Sequence, residues 1–188
     1  MNPEKVCAIP TDRFAMPAHP DYPKLRAGTQ LDAIYERLVL RGCGFHRPGA
    51  EGLPVVVTVF DCQCSWSHAF WETSKVLENE LDFFWFPVCV SADISTAQGA
   101  SILASSSPWK AMNEHQLSFV EGGLECNDYP ATQTDRDRVW ENARIFRKAG
   151  GTSVPLAIWR SPQNQFTPFF GDTTAEEIRR TILIRKNP

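Results

Sequence analysis

The chain has 188 residues, with 19 basic against 22 acidic side chains, a net charge of −3 and a pI near 5.8. That balance speaks against nucleic acid or an anionic membrane surface as partner, and no apolar run is long enough to span a bilayer. One domain with a sizeable core suits this length; six cysteines are too few for a disulfide scaffold but enough for redox chemistry.

Residues 1–28 carry Pro3, Pro10, Pro17, Pro20 and Pro23, which excludes a helix and disfavours a central strand. They are expected to form a proline-rich extended arm, followed by a domain over 29–188. Met1-Asn2-Pro3-Glu4-Lys5 has neither a basic nor an apolar leader region. The chain is therefore cytosolic, or a signal peptide has already been removed. Leu31, Ile34 and Leu38 predict a helix over 30–41, with Thr29 as N-cap and Gly42 as stop. Glycines and prolines make 42–54 a loop.

Val55-Val56-Val57-Thr58-Val59-Phe60-Asp61 is apolar at successive positions, as expected of a strand buried on both faces. It stops at a small polar turn holding Cys62 and Cys64. An amphipathic helix is predicted from Ser65 to about Asn79, with Trp66, Phe70, Trp71, Val76 and Leu77 inward. A second buried strand is predicted over 82–90, with Cys89 inside it. Strand, helix and strand at this spacing make a right-handed βαβ unit. Residues 121–134 read as a loop, and 135–149 as a helix ended by Gly150-Gly151. A strand opening on Pro155 pairs with one near 165–170 across a turn at 161–164. A last helix with Ile178, Ile182 and Leu183 is capped by Thr173 or Thr174 with Glu176 or Glu177.

Cys64 is the candidate nucleophile. At a strand-to-helix junction it meets unpaired N–H groups and the positive end of the helix dipole, so a depressed pKa is expected. The alternative is a buried, inert cysteine. Ser67 faces it across the first helical turn and can donate a hydrogen bond to its thiolate. Cys62 either supplies a resolving thiol or only fills the space of a proline; in an extended loop the side chains at i and i+2 point apart. His68 either raises the thiolate fraction or caps local backbone. Trp66 is either a substrate contact or a core aromatic. Cys62, Cys64 and His68 lack the usual zinc spacing and a second ligand pair, so no metal and no cofactor are expected. Among Cys7, Cys43, Cys89 and Cys126 a structural disulfide is open, and its pairing is not deducible.

Phe60-Asp61-Cys62-Gln63-Cys64-Ser65-Trp66-Ser67-His68 resembles the thioredoxin superfamily, and within it the DsbC/DsbG-type periplasmic disulfide isomerases, which read roughly F-T-D-P-N-C-P-Y-C-H here. Asp61, Cys64 and His68 match, and Trp66 stands for an aromatic. Ser67 replaces the second cysteine of C-x-x-C, and Cys62 replaces a proline. Phe86-Pro87-Val88, Ser95 and residues 97–104 resemble the DsbG branch, and Gly151-Thr152-Ser153-Val154-Pro155 resembles the cis-proline segment of thioredoxin-like proteins.

The resemblance implies an α/β thioredoxin-like fold: a central mixed sheet flanked by helices, with a helical insertion at about 96–134 that Pro108 breaks in two. It also implies a linker helix at 30–41, a cis Pro155 beside Cys64, and a Val154 backbone that binds extended substrate. The family's N-terminal dimerisation domain is not expected within residues 1–28, which are too few and too proline-rich to form it.

By the same resemblance the chain is a periplasmic thiol-disulfide oxidoreductase. Its single attacking cysteine, Cys64, forms mixed disulfides with protein thiols, disulfides or sulfenic acids and depends on an external thiol or glutathione for release. Two alternatives stay open. One is a non-catalytic polypeptide-binding or chaperone module using Trp66 and Pro155. The other is a glutathione-linked monothiol oxidoreductase.

Overall fold

The computed structural model describes residues 25, 27–90 and 93–186. Nearly all of the expected arm, with Cys7, lies outside the described residues. The elements are α1 (Leu31–Arg41), β1 (Val55–Phe60), α2 (Ser65–Val76), β2 (Asp82–Pro87), α3 (Asp93–Ala104), α4 (Pro108–Leu117), a 3-10 turn (Phe119–Glu121), α5 (Gln133–Lys148), β3 (Leu156–Arg160), β4 (Phe166–Phe170) and α6 (Ala175–Lys186).

The four strands form one mixed sheet in the order β2-β1-β3-β4. β1 runs parallel to β2, with Phe60 opposite Pro87, and antiparallel to β3, with Val59 opposite Leu156. β4 pairs antiparallel with β3. As a central strand β1 is apolar on successive positions because each face has its own core. Val56 and Phe60 join Phe70, Trp71, Phe83, Trp85, Ile178 and Ile182 on one side. Val57 and Val59 join Ile34, Leu38, Phe86, Ala143, Phe146 and Ile158 on the other. Burying each Val, Leu, Ile or Phe among them stabilises the fold by about 1.5–3 kcal/mol. The indole N–H groups of Trp71 and Trp85 have no hydrogen-bond acceptor among the described residues. Their rings pack against each other, 5.0 Å apart between centroids, and the Lys75 ammonium lies over the Trp71 ring at 5.9 Å.

Several boundaries differ from expectation. The N-cap of α1 is Gln30, because the Thr29 hydroxyl donates instead to the Gly150 carbonyl at 3.0 Å. α2 stops at Val76, whose side chain is 64% exposed rather than inward. β2 ends at Pro87, where the chain leaves the sheet for α3, so Cys89 lies beyond the strand and is partly exposed. α5 starts earlier, on a capping box in which Thr132 and Asp135 satisfy each other's backbone N–H groups. Thr174 and Glu177 form the corresponding box before α6. Ile178 and Ile182 are buried, while the side chain of Leu183 is not among those described.

Candidate functional site

Cys64 is the N-cap residue of α2, with extended backbone angles (φ −91°, ψ 116°). Its N–H donates to the Asp61 carbonyl at 3.1 Å, and its carbonyl accepts from the His68 N–H at 3.1 Å. These bonds close the turn and start the helix. The Val154–Pro155 peptide bond is cis. The buried Val154 carbonyl lies 3.4 Å from the Cys64 Sγ, which donates its S–H there. Cys64 and Val154 are thus neighbours across 90 residues of chain.

The Cys64 thiol pKa is raised, not depressed. Burial is the largest cause, since the side chain packs against the core that contains Val59, Val154 and Leu156. Hydrogen bonds from the Ser67 N–H, the Ser67 hydroxyl and the Trp66 N–H pull the other way, and the negative charge of Asp61 adds to the rise. Desolvation of the thiolate wins over the helix N-terminus.

Cys62 belongs to the opposite core. It is 1% exposed, and burial first, then Asp61, raises its pKa well above the ordinary cysteine value. The side chains of Cys62 and Cys64 therefore serve opposite faces of the sheet. Among the described residues, no group of three or more His, Cys, Asp or Glu side chains is placed to hold a metal ion.

Asp61 is fully buried, and its carboxylate accepts from the Gln63 N–H at 2.8 Å, the Val90 N–H at 2.8 Å and the Ser95 hydroxyl at 2.6 Å. It fastens the Cys64 turn to the chain after β2 and to α3. His68 turns away from the thiol: its Nδ1–H donates to Gln116 Oε1 at 2.5 Å, and its ring stacks on Phe119 at 4.5 Å. Trp66 is partly exposed and lies against Gly171. A Cβ at 171 would come within 2.7 Å of the Trp66 Cβ, so only glycine leaves that space.

Three positioning groups were not singled out from sequence. The Gln98 amide donates to the Gly122 carbonyl at 2.8 Å and the Leu124 carbonyl at 3.1 Å, and accepts from the Gln63 amide. Gln116 holds His68. His115, fully buried, receives the Leu124 N–H on Nδ1 at 3.1 Å. Its proton must then sit on Nε2, which donates to the Cys62 carbonyl at 2.9 Å. Burial lowers its pKa to about 4, so it is neutral at ordinary pH. The available signal was a polar side chain amid small or apolar ones, as at Ala97-Gln98-Gly99-Ala100.

A pocket of about 420 Å³, bounded by Tyr35, Val55, Trp159 and Arg160, lies at the opposite end of β1 from Cys64 and has no part in this site. No helix among the described residues is long and apolar enough to cross a membrane.

No family model matches the chain, and no curated protein matches it in sequence. Solved structures do match in shape. The catalytic domain of Proteus mirabilis ScsC aligns with a TM-score of 0.67 at 12% identity, over 84% of this chain and 99% of that one. A periplasmic thioredoxin-like protein from Salmonella enterica serovar Typhimurium gives 0.66 at 11%, over 82% and 97%. The fold is thioredoxin-like. The thiol-disulfide exchange protein α-DsbA2 from Wolbachia pipientis gives 0.56 at 13%, over 82% and 94%. On the thioredoxin-like sheet, Cys64 occupies the end of the central strand and the start of the helix that follows it.

Proposed function

We propose that this protein is a thiol-disulfide oxidoreductase of DsbG type that works through the single attacking cysteine Cys64. The observation that carries this reading is the placement of the Cys64 Sγ: at the N-terminus of α2, against the carbonyl before a cis-proline, with Ser67 where a second thiol would stand.

The chemistry follows from those neighbours. Loss of the S–H proton leaves a thiolate that accepts from the Ser67 and Trp66 N–H groups and the Ser67 hydroxyl. It also ends the S–H bond to the Val154 carbonyl, and an extended substrate segment would lie alongside the backbone at Val154 and Pro155. Trp66, partly exposed and two residues from Cys64, is assigned a substrate contact. The thiolate attacks one sulfur of a substrate disulfide, a Cys64–S–S–substrate bond forms, and the other substrate sulfur leaves as thiolate. With a sulfenic acid the leaving group is hydroxide, which is protonated to water. Ser67 cannot attack the mixed disulfide, so release comes from a second substrate thiol or an external thiol of the glutathione class. Cys62 faces the other core and is not assigned the releasing step.

The likeness to periplasmic proteins and the disulfide-bonded Cys126 support an oxidising compartment. The raised thiol pKa and Ser67 favour a second reading, a polypeptide-binding module without turnover. Exchange with a fluorescent model disulfide separates the two. The oxidoreductase loses all exchange on Cys64→Ser; exchange that survives the substitution, or is absent from the native protein, rejects it.

A further inference from the structure

The pocket of about 420 Å³ far from Cys64 lies where β1 begins and β3 ends. Its walls are mostly apolar. Val55 comes from the start of β1, Trp159 from β3, Pro162 from the turn after it and Ile182 from α6. Its polar groups are Tyr35 of α1, Arg160 at the last position of β3, and Ser161 next to it. The Phe166 ring holds the first two together. Tyr35 meets that ring edge-on at 5.6 Å between centroids, and the Arg160 guanidinium lies over it at 5.9 Å. Phe166 is also the partner of Arg160 in the β3–β4 ladder.

All three polar groups have a donor to spend. The Arg160 guanidinium is exposed and has no carboxylate partner among the described residues. The Tyr35 hydroxyl has no acceptor among them either, and burial raises its pKa, so it keeps its proton. Ser161 is only 3% exposed. Its Oγ accepts from the Gln165 N–H at 3.1 Å, which leaves its own O–H without an acceptor among the described residues. No acidic side chain among the described residues lines the pocket. One positive charge and two hydroxyl donors beside an apolar wall match an anion with a single charge and an apolar body. A guanidinium takes a carboxylate through two parallel N–H···O bonds, and a mostly apolar pocket with a few convergent polar groups is the usual form of a small-molecule site.

We propose that this pocket binds a small organic monocarboxylate, non-covalently. Arg160, Tyr35 and Ser161 donate to its carboxylate, and its apolar body lies against Trp159, Val55 and Ile182. The site stands at the other end of β1 from Cys64, so it fills whether or not that thiol reacts.

The test measures phenylacetate binding to the full chain by calorimetry, beside phenylacetamide, which lacks the charge, and acetate, which lacks the apolar body. Phenylacetate should bind at millimolar concentration or below. Each of the other two should bind at least about tenfold more weakly, having lost a charge-assisted hydrogen bond or a buried apolar group. Arg160→Gln, at an exposed position, should weaken phenylacetate binding by about tenfold, and Tyr35→Phe by about two- to fivefold, with circular dichroism reporting a native fold. Arg160→Lys, which keeps the charge without the fork, should fall between Arg160→Gln and the native protein. Cys64→Ser should bind phenylacetate as the native protein does, which separates this site from any failure of the thiol chemistry. No binding of phenylacetate, equal binding of phenylacetamide or acetate, or a folded Arg160→Gln protein that binds phenylacetate like the native one overturns the proposal. The ligand comparison needs only native protein, so it decides the matter even where a variant fails to fold.

Discussion

Cys64 sits between an apolar wall and a set of donors, and the balance decides its reactivity. Burial raises its pKa against the Ser67 and Trp66 donors. Removing one donor tips it further. Ser67→Ala should slow alkylation of Cys64 at neutral pH by about two- to fivefold, from a hydrogen bond of about 1 kcal/mol, partly offset by the higher nucleophilicity of a more basic thiolate. A rate that rises would mean that Ser67 does not favour the thiolate. The raised thiols also set an alkaline limit. Cys62 and Cys64 hold their protons more tightly folded than unfolded, so the stability they contribute is complete below the ordinary cysteine value and is lost as pH rises through their folded values. His115 sets the acid limit with the opposite sign. Its pKa falls from 6.5 to about 4 on folding. Its contribution is complete above 6.5 and declines as pH falls toward 4, by about 3 kcal/mol. Denaturant unfolding between those two pH values should show this slope, and His115→Asn should flatten it; an unchanged slope would place the titration elsewhere. That Cys64 stands at a strand-to-helix junction was legible in the sequence. The direction of its pKa was not, because burial depends on Val59, Val154 and Leu156, which come from separate strands and a loop.

Among the elements, α3, α4 and the 3-10 turn form a bracket behind the Cys64 turn. Gln98 reaches Gln63, His115 reaches the Cys62 carbonyl, and Gln116 reaches His68. Gly123 is the tightest point of that bracket. It has φ +78°, and a Cβ there would lie 2.4 Å from the His115 ring. Gly123→Ala should therefore cost more than about 2 kcal/mol in denaturant unfolding; a loss below about 0.5 kcal/mol would show that the ring has room to move. At α5, Thr132→Ala removes half of a capping box and should cost about 1 kcal/mol. That box was present in the sequence as Thr132-Gln133-Thr134-Asp135, but periodicity alone placed the helix start at 135. Local patterns located the elements well and their ends poorly. Thr29 shows why: its hydroxyl is taken by Gly150, 121 residues away, and not by its own helix.

For the whole molecule, the two-sided burial of β1 was legible in the order of residues, and the thioredoxin-like sheet around it in the resemblance carried by the motif at Cys64. What sequence order cannot show is how distant segments meet. Val154 reaches Cys64, Gly171 reaches Trp66, and the segment after β2 reaches the Asp61 carboxylate, each through sheet pairing or a connection that closes only in three dimensions. The central claim is that this assembly makes Cys64 an attacking thiol without an internal resolving partner. The most direct measurement is the lifetime of a mixed disulfide formed on Cys64 with a model disulfide, followed by mass spectrometry in the native and Ser67→Cys proteins. The native adduct should form on Cys64 and persist until an external thiol is added. Ser67→Cys should shorten its life by about a hundredfold or more, because release becomes intramolecular. Failure of the native protein to form an adduct at Cys64, or a native adduct released as fast as that of Ser67→Cys, would contradict the account.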